Sequence, residues 1–244
     1  MFFQGRGNVH LAEVVNGVVG AYKLHICPDT YSIELTTDSF EHINKCGAFD
    51  VPDYRGVKAS SGKLNFSFAN VEDLNYALAV LGTVTPAGTA GTVTDEALPD
   101  DLEVGDIWFL GGLERHRTIT GLTITGCTVD VDYTLDAVSG KVTFLTSQST
   151  SPNLTASYGY TDPASVSMLT AATKEYAAMF ENINKANVND PGSIELYRVR
   201  FDPASNMDYL SDELQIPQLT GSALADTTKS ATDTEFGQFG RRVL

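Results

Sequence analysis

Apolar and polar residues alternate strictly through Lys63-Leu64-Asn65-Phe66-Ser67-Phe68. That period of two places Leu64, Phe66 and Phe68 on one face of a half-buried strand. The same alternation marks Ser32 to Thr36, Leu122 to Thr125, Val129 to Tyr133 and Leu154 to Tyr158, so the pattern predicts a mainly β chain. Asn16-Gly17 stands between Val14-Val15 and Val18-Val19. It supplies the positive φ angles of a type I′ turn and makes residues 9 to 26 a hairpin. Ser139-Gly140 turns a second hairpin, between Val131-Asp132-Tyr133 and Val142-Thr143-Phe144. Further strands are expected near Tyr176 to Ile183 and, after the turn residues Asn189-Asp190-Pro191-Gly192, over Ile194 to Phe201.

The period changes at Val71, Leu74, Leu78 and Leu81, which recur at helical spacing. Asn70 is placed to cap this helix, Glu72 and Asp73 suit the positive end of its dipole, and Gly82 stops it. Between Ala164 and Phe180 the alanines favour helix while Val166, Thr170 and Thr173 do not, so a short helix or turn is expected there before the next strand. The loop-like Thr83-Val84-Thr85-Pro86-Ala87-Gly88-Thr89-Ala90-Gly91 and the later Thr161-Asp162-Pro163 read as boundaries. They divide the chain into a discontinuous domain, 1–82 with 164–228, an inserted β subdomain, 83–163, and a C-terminal arm, 229–244.

Composition narrows the function classes. With 244 residues, 42% hydrophobic and 19% charged, the chain buries a core without needing disulfides, and its three cysteines, Cys27, Cys46 and Cys127, read as reduced thiols. No apolar run approaches the roughly 20 residues of a membrane span, and Met-Phe-Phe-Gln-Gly-Arg does not read as a secretion signal. A formal charge of −15 repels phosphate backbones and anionic lipid. The acidity is uneven, for the inserted segment carries the largest excess of carboxylates over cations.

Catalytic and metal-binding patterns are weak. His10, His25, His42 and His116 fall in no H-E-x-x-H motif, and neither a G-x-S-x-G elbow nor a P-loop occurs. His25-x-Cys27 and His42-x-x-x-Cys46 would need two hairpins to converge on a metal, so they are read as ordinary strand residues. Asp95, Glu96, Asp100, Asp101, Glu103 and Asp106 lack the order of a calcium loop and read as a solvated acidic loop. Trp108 is expected in the subdomain core. Gly5-x-Gly7 follows no strand and is no dinucleotide fingerprint. The expectation is therefore a protein that is not an enzyme and has no cofactor and no metal.

Two features stay unabsorbed. The connection from Phe40 to Lys58 is far longer than a hairpin requires. Within it Gly47, Pro52 and Gly56 resist regular structure, yet it carries Phe40, Phe49, Val51 and Tyr54, which suits a segment that orders on a partner. Both ends of the chain also bear aromatic arms, with Phe2 and Phe3 at one end and Phe236 and Phe239 at the other.

The order of these parts resembles the major tail tube proteins of long-tailed, siphovirus-like bacteriophages. The resemblance rests on Gly7-Asn8-Val9-His10-Leu11-Ala12-Glu13 with its Asn16-Gly17 turn, on Ser32-Ile33-Glu34-Leu35 through Phe40-Glu41-His42, and on Gly47 and Lys58. It continues in the strand Lys63 to Phe68, the helix Val71 to Leu81, Leu196-Tyr197-Arg198-Val199-Arg200-Phe201-Asp202-Pro203 and Leu219-Thr220-Gly221-Ser222-Ala223-Leu224-Ala225-Asp226. It implies a β-sandwich or barrel flanked by one short helix, and hexameric rings stacked into a hollow tube that conducts the genome into the host. The long loop and terminal arms would then reach neighbouring subunits, and the insertion would sit on the tube exterior. Glu34, Asp38 and Glu195 are the candidate lumen-facing carboxylates. Implied partners are the chain itself and other tail proteins such as the tape measure, terminator and distal tail protein. DNA would pass without specific binding, no membrane is involved, and the site of action is a virion tail assembled in the bacterial cytoplasm. Two related readings stay open, a secretion-system tube protein and a β-sandwich adhesin or carbohydrate-binding module. A hydrolase with paired carboxylates is a third.

Overall fold

The computed structural model describes residues 5–46, 49–148, 154–184, 192–210 and 212–243. In chain order these form β1 (Gly5–Val15), β2 (Val18–Ile26), β3 (Pro28–Asn44), β4 (Val51–Phe68), α1 (Asp73–Ala79), β5 (Thr83–Thr85), β6 (Gly91–Ala97), β7 (Ile107–Phe109) and β8 (Thr120–Ile124). There follow β9 (Tyr133–Asp136), β10 (Lys141–Phe144), β11 (Thr155–Tyr160), β12 (Ser165–Ser167), β13 (Glu175–Asn184), β14 (Gly192–Phe201), β15 (Gln218–Ala223) and β16 (Gly240–Val243). The protein is mainly β, with one short helix among the described residues. It divides into two compact units, Met1–Val84 with Val166–Leu244, and Thr85–Ser165. The chain passes from the first to the second through β5 and returns through β12, and these two strands pair with each other.

The first unit is built on an eight-stranded sheet in the order β2-β1-β13-β14-β15-β4-β3, with β16 also on β14. Its first hairpin turns at Asn16 (φ 52°) and Gly17 (φ 77°), as the Asn-Gly pair dictates, with Val15 opposite Val18. Val9 and Leu11 lie opposite Phe180 and Ala178, and Phe66 opposite Leu219, so the alternating apolar residues of four strands meet in one core with Ile26, Leu64, Phe68 and Phe201. Tyr31 stacks on Phe180 at 4.5 Å, and Phe66 meets Phe201 edge-on at 5.6 Å. A register shift between Tyr176 and Ala178 changes the parity of β14, so that Leu196 and then Val199 and Phe201 all reach the core. Glu195 consequently lies on the opposite face.

The helix is shorter than the spacing predicts. Its N-cap is Glu72, with no side-chain cap, while Asn70 instead accepts at its backbone carbonyl from Asn75 Nδ2 at 3.1 Å. Leu78 and Leu81 are buried, while Leu74 is half exposed. Leu81, not Gly82, adopts the left-handed conformation (φ 48°) that terminates it, and the Gly82 N–H bonds the Ala77 carbonyl at 2.6 Å. Gly82 is needed for space, since a Cβ there would lie 1.9 Å from the Ser167 carbonyl oxygen. No helix forms between Ala164 and Phe180. The Leu169 and Ala171 N–H groups bond the Val80 and Leu81 carbonyls, so this segment serves as a strap that satisfies the helix C-terminus.

The second unit holds two three-stranded sheets, β7-β10-β9 and β6-β11-β8, around Leu98, Leu110, Ile124, Tyr133, Val142, Phe144 and Ala156. Trp108 packs against this core. Val129 to Tyr133 does not form the expected strand. Asp132 accepts from the Thr128 N–H at 2.8 Å and the Thr146 hydroxyl at 2.9 Å, which close the segment into a turn and hold its carboxyl below the usual range. The strand begins at Tyr133 and returns at Gly140 (φ 66°). Nor is the acidic stretch wholly solvated. Glu96 on β6 accepts from the Tyr158 hydroxyl at 2.5 Å and from the Gly111 N–H at 3.1 Å. Tyr158 in turn accepts from His116 Nδ1 at 2.9 Å, and the buried imidazole stacks on Tyr160 at 3.7 Å.

Removing the Tyr158 hydroxyl leaves a half-buried carboxylate and a buried imidazole without their shared partner. Tyr158→Phe is expected to destabilise the second unit by about 1–3 kcal/mol in chemical denaturation. A change below about 0.3 kcal/mol would show that the network adds nothing beyond packing.

Candidate functional site

Within the segment from Phe40 to Lys58, Phe40 to Asn44 and Val51 to Lys58 are regular β structure. β3 and β4 pair from Pro28 opposite Phe68 out to Asn44 opposite Val51. Near the core β4 is also held by β15, whose ladder ends at Gly62. Outward of that point, among the described residues, the two strands pair only with each other and form a ribbon. Pro52 is accommodated opposite Ile43 beside a register shift, where a missing N–H interrupts nothing further. Gly56 lies opposite Phe40, and a Cβ there would stand 2.6 Å from the Phe40 ring, so the glycine makes room for the aromatic. Gly47 lies outside the described residues.

Phe40 and Tyr54 share one face of the ribbon, their rings 5.8 Å apart. The other face carries Val57 beside polar side chains, with Arg55 donating to the Ser39 hydroxyl at 3.1 Å and standing 3.9 Å from Glu41. Near the tip His42 Nδ1 and Asp53 Oδ1 are 2.6 Å apart. Phe49 is 82% exposed, Tyr54 59%, Val51 56% and Phe40 50%. With Ile43 and Val57, six large apolar side chains therefore face water on one projection, although full burial of such a side chain is worth about 1.5–3 kcal/mol. This projection is the candidate interaction surface.

The sheet carries a second unfilled capacity. β2 and β3 end the strand order, and neither outer edge has a strand partner among the described residues. β3 thus offers a 17-residue edge, and β2 exposes Val18, Val19 and Tyr22. Open edges of this length pair with another chain unless they are blunted or covered.

The three acidic candidates each have a basic neighbour. Glu34 is exposed and opposite Lys63, Asp38 is exposed with Lys58 Nζ at 3.9 Å, and Glu195 is bound by Arg241 Nε at 2.8 Å. Each faces a cation. Phe2 and Phe3 lie outside the described residues. Phe236 and Phe239 belong to a segment that folds onto its own chain, with β16 pairing Gly240 to Leu196 and Val243 to Ser193. The Tyr197 N–H bonds the Phe239 carbonyl, its hydroxyl bonds the Phe236 carbonyl, and the Arg241 guanidinium covers the Phe236 ring at 4.5 Å. Gly240 permits this approach, since a Cβ there would meet the Glu195 carbonyl. Within the expected C-terminal arm, Gly240–Val243 form a strand on this chain's own sheet.

His25 and Cys27 do not meet His42 and Cys46, which lie out on the ribbon. His25 instead faces His10 across β1 and β2, with Nδ1 atoms 2.7 Å apart, and Glu181 Oε2 is 3.2 Å from His10 Nε2. The fifteen-residue separation of His10 and His25 about Asn16-Gly17 was the available signal for this pair. Among the described residues no group of three or more His, Cys, Asp or Glu side chains converges on a metal, and no helix is long and apolar enough to cross a membrane.

A family model described as Protein of unknown function UCP028589 matches residues 2–243, and the chain belongs to that family. No curated protein matches it.

The hold on the C-terminal segment has a titratable element. Asp226 accepts from Lys229 Nζ and from the Thr228 hydroxyl, each at 2.6 Å, and these bonds hold its pKa at about 2 against an ordinary 3.8. Its N–H also bonds the Gln238 carbonyl, while Lys229 lies over the Tyr197 ring. A depressed carboxylate pKa stabilises the folded arrangement above the ordinary value, and that contribution is lost as pH falls through the folded one. Amide protection of Gly240–Val243, relative to Leu64–Phe68, is expected to fall between pH 4 and about pH 2, the window set by that shift. Protection unchanged across that window would show that Asp226 does not hold the strand.

Proposed function

We propose that this member of the UCP028589 family is a self-assembling structural subunit, the building block of a hollow phage tail tube. The observation that carries the reading is the β3–β4 ribbon, which extends regular sheet beyond its core and ends in aromatic side chains with nothing to cover them. The open β2 and β3 edges give it a second support. Pairing of one edge with the other on the next copy is a head-to-tail contact, and such contacts close into rings when the rotation allows. In this reading the rings are hexameric, ribbons join ring to ring, and the unit Thr85–Ser165 lies on the tube exterior. The formal charge of −15 fits a lumen that lets DNA pass, because a basic channel would hold the phosphates by counterion release. The resemblance of residues 1–82 and 175–228 to tail tube proteins points the same way. Trp108 packs against a core, so the sole tryptophan supplies no exposed platform of the kind a carbohydrate-binding module uses.

Negative-stain microscopy of the concentrated purified protein is expected to show rings and tubes. The double variant Phe40→Ser, Tyr54→Ser should keep the fold and lose tube extension, with rings or single subunits remaining. Wild-type protein that stays monomeric at every concentration, or a double variant that forms tubes of normal length, would overturn the reading.

A further inference from the structure

A groove opens in the first unit where the inner face of β1 and β2 runs past the core and meets α1. Its cavity measures about 360 Å³. Val15 and Leu74 line its walls and are themselves more than half exposed, at 56% and 51%. Gly20 and Ala77 contribute only small side chains to its lining, so space remains between those walls. Lys174 lines it while paired with Glu13 at 3.1 Å, and Lys23 lines it without an ion pair among the described residues. The groove therefore combines apolar walls with the Lys174–Glu13 pair and a second cation, Lys23, that has no ion pair among the described residues.

The ribbon tip has the opposite character. Phe49 is bulky and almost fully exposed, and the adjacent Asp50 makes no ion pair among the described residues. No residue of the ribbon lines the groove of its own chain. The ladder from Leu35 to Asn44, with register shifts at Asp38/Ser39 and His42/Ile43, carries the tip on two paired strands.

We propose that this groove receives the β3–β4 ribbon tip of a second copy, with Phe49 entering between Val15 and Leu74 and Asp50 meeting Lys23. The proposal rests on the assembly reading above and deepens it by naming the surface that the ribbon engages. Every copy then gives one tip and accepts one, a head-to-tail contact that leaves a free groove at one end and a free tip at the other. Growth continues from those ends.

Native Cys46 is exposed beside the tip and provides the test. Ala21 lines the groove and is exposed. In assembled Ala21→Cys protein, a short bismaleimide is expected to join the introduced thiol to Cys46 of another copy. Peptide mass spectrometry would identify the link, and Cys46→Ser would abolish it. Leu74→Cys gives the same test from the helix wall should Ala21→Cys misfold by circular dichroism. Lys23→Glu should raise the concentration needed for assembly at least tenfold, and adding Asp50→Lys should restore it. Assembled particles whose introduced cysteine never links to Cys46 would overturn the groove while leaving the assembly reading intact. Wild-type protein that never self-associates would overturn both.

Discussion

From Pro28 opposite Phe68 to Asn44 opposite Val51, β3 and β4 share one antiparallel ladder whose two halves live under different conditions. In the inner half Tyr31, Ile33, Leu64 and Phe66 pack on or within the core, and β15 backs the ladder from the other side. In the outer half the same hydrogen bonds run on with no buried face beneath them. A two-stranded ribbon alone is marginal in water. Here it is nucleated by the core half, so register, direction and the placing of Phe40 and Tyr54 are inherited from residues buried well behind them. The long β3 edge and the assembly reading depend on that transmission.

Much of the inner architecture was legible because burial writes itself into the chain. Leu64, Phe66 and Phe68 alternate since one face of β4 is dry, and Asn16-Gly17 marks its turn since both residues need positive φ. The ribbon was not legible for the converse reason. Neither of its faces is buried, so no alternation is required, and Pro52 and Gly56 read as breakers until Pro52 is found beside a register shift and Gly56 under the Phe40 ring. The aromatics that define the candidate surface could be picked out by type. Their placement on a projecting ladder required knowing the register. Val129 to Tyr133 misled in the other direction, because Asp132 satisfies the Thr128 amide locally and closes a turn within an apparently alternating run. The C-terminal segment looked like an arm because four residues, Gly240–Val243, are too few to announce a strand.

The free chain carries two kinds of unmet demand, apolar side chains on the ribbon and backbone edges on β2 and β3. They answer to different partners. Backbone edges are satisfied by another strand whatever its side chains, while Phe40, Phe49 and Tyr54 need a surface of matching shape. A subunit that meets the first laterally and the second along an axis forms a two-dimensional lattice, and a closed lattice of this kind is a tube.

The outer ladder should therefore be the part of the molecule most altered by assembly. Hydrogen exchange of Asp38–Asn44 and Val51–Ala59 tests this directly, with Leu64–Phe68 as the internal reference. These amides are expected to exchange rapidly in the free subunit and to slow at least tenfold in the assembled particle, while the reference stays constant. Equal protection of the ribbon in both states would contradict the claim that it is the joint between subunits.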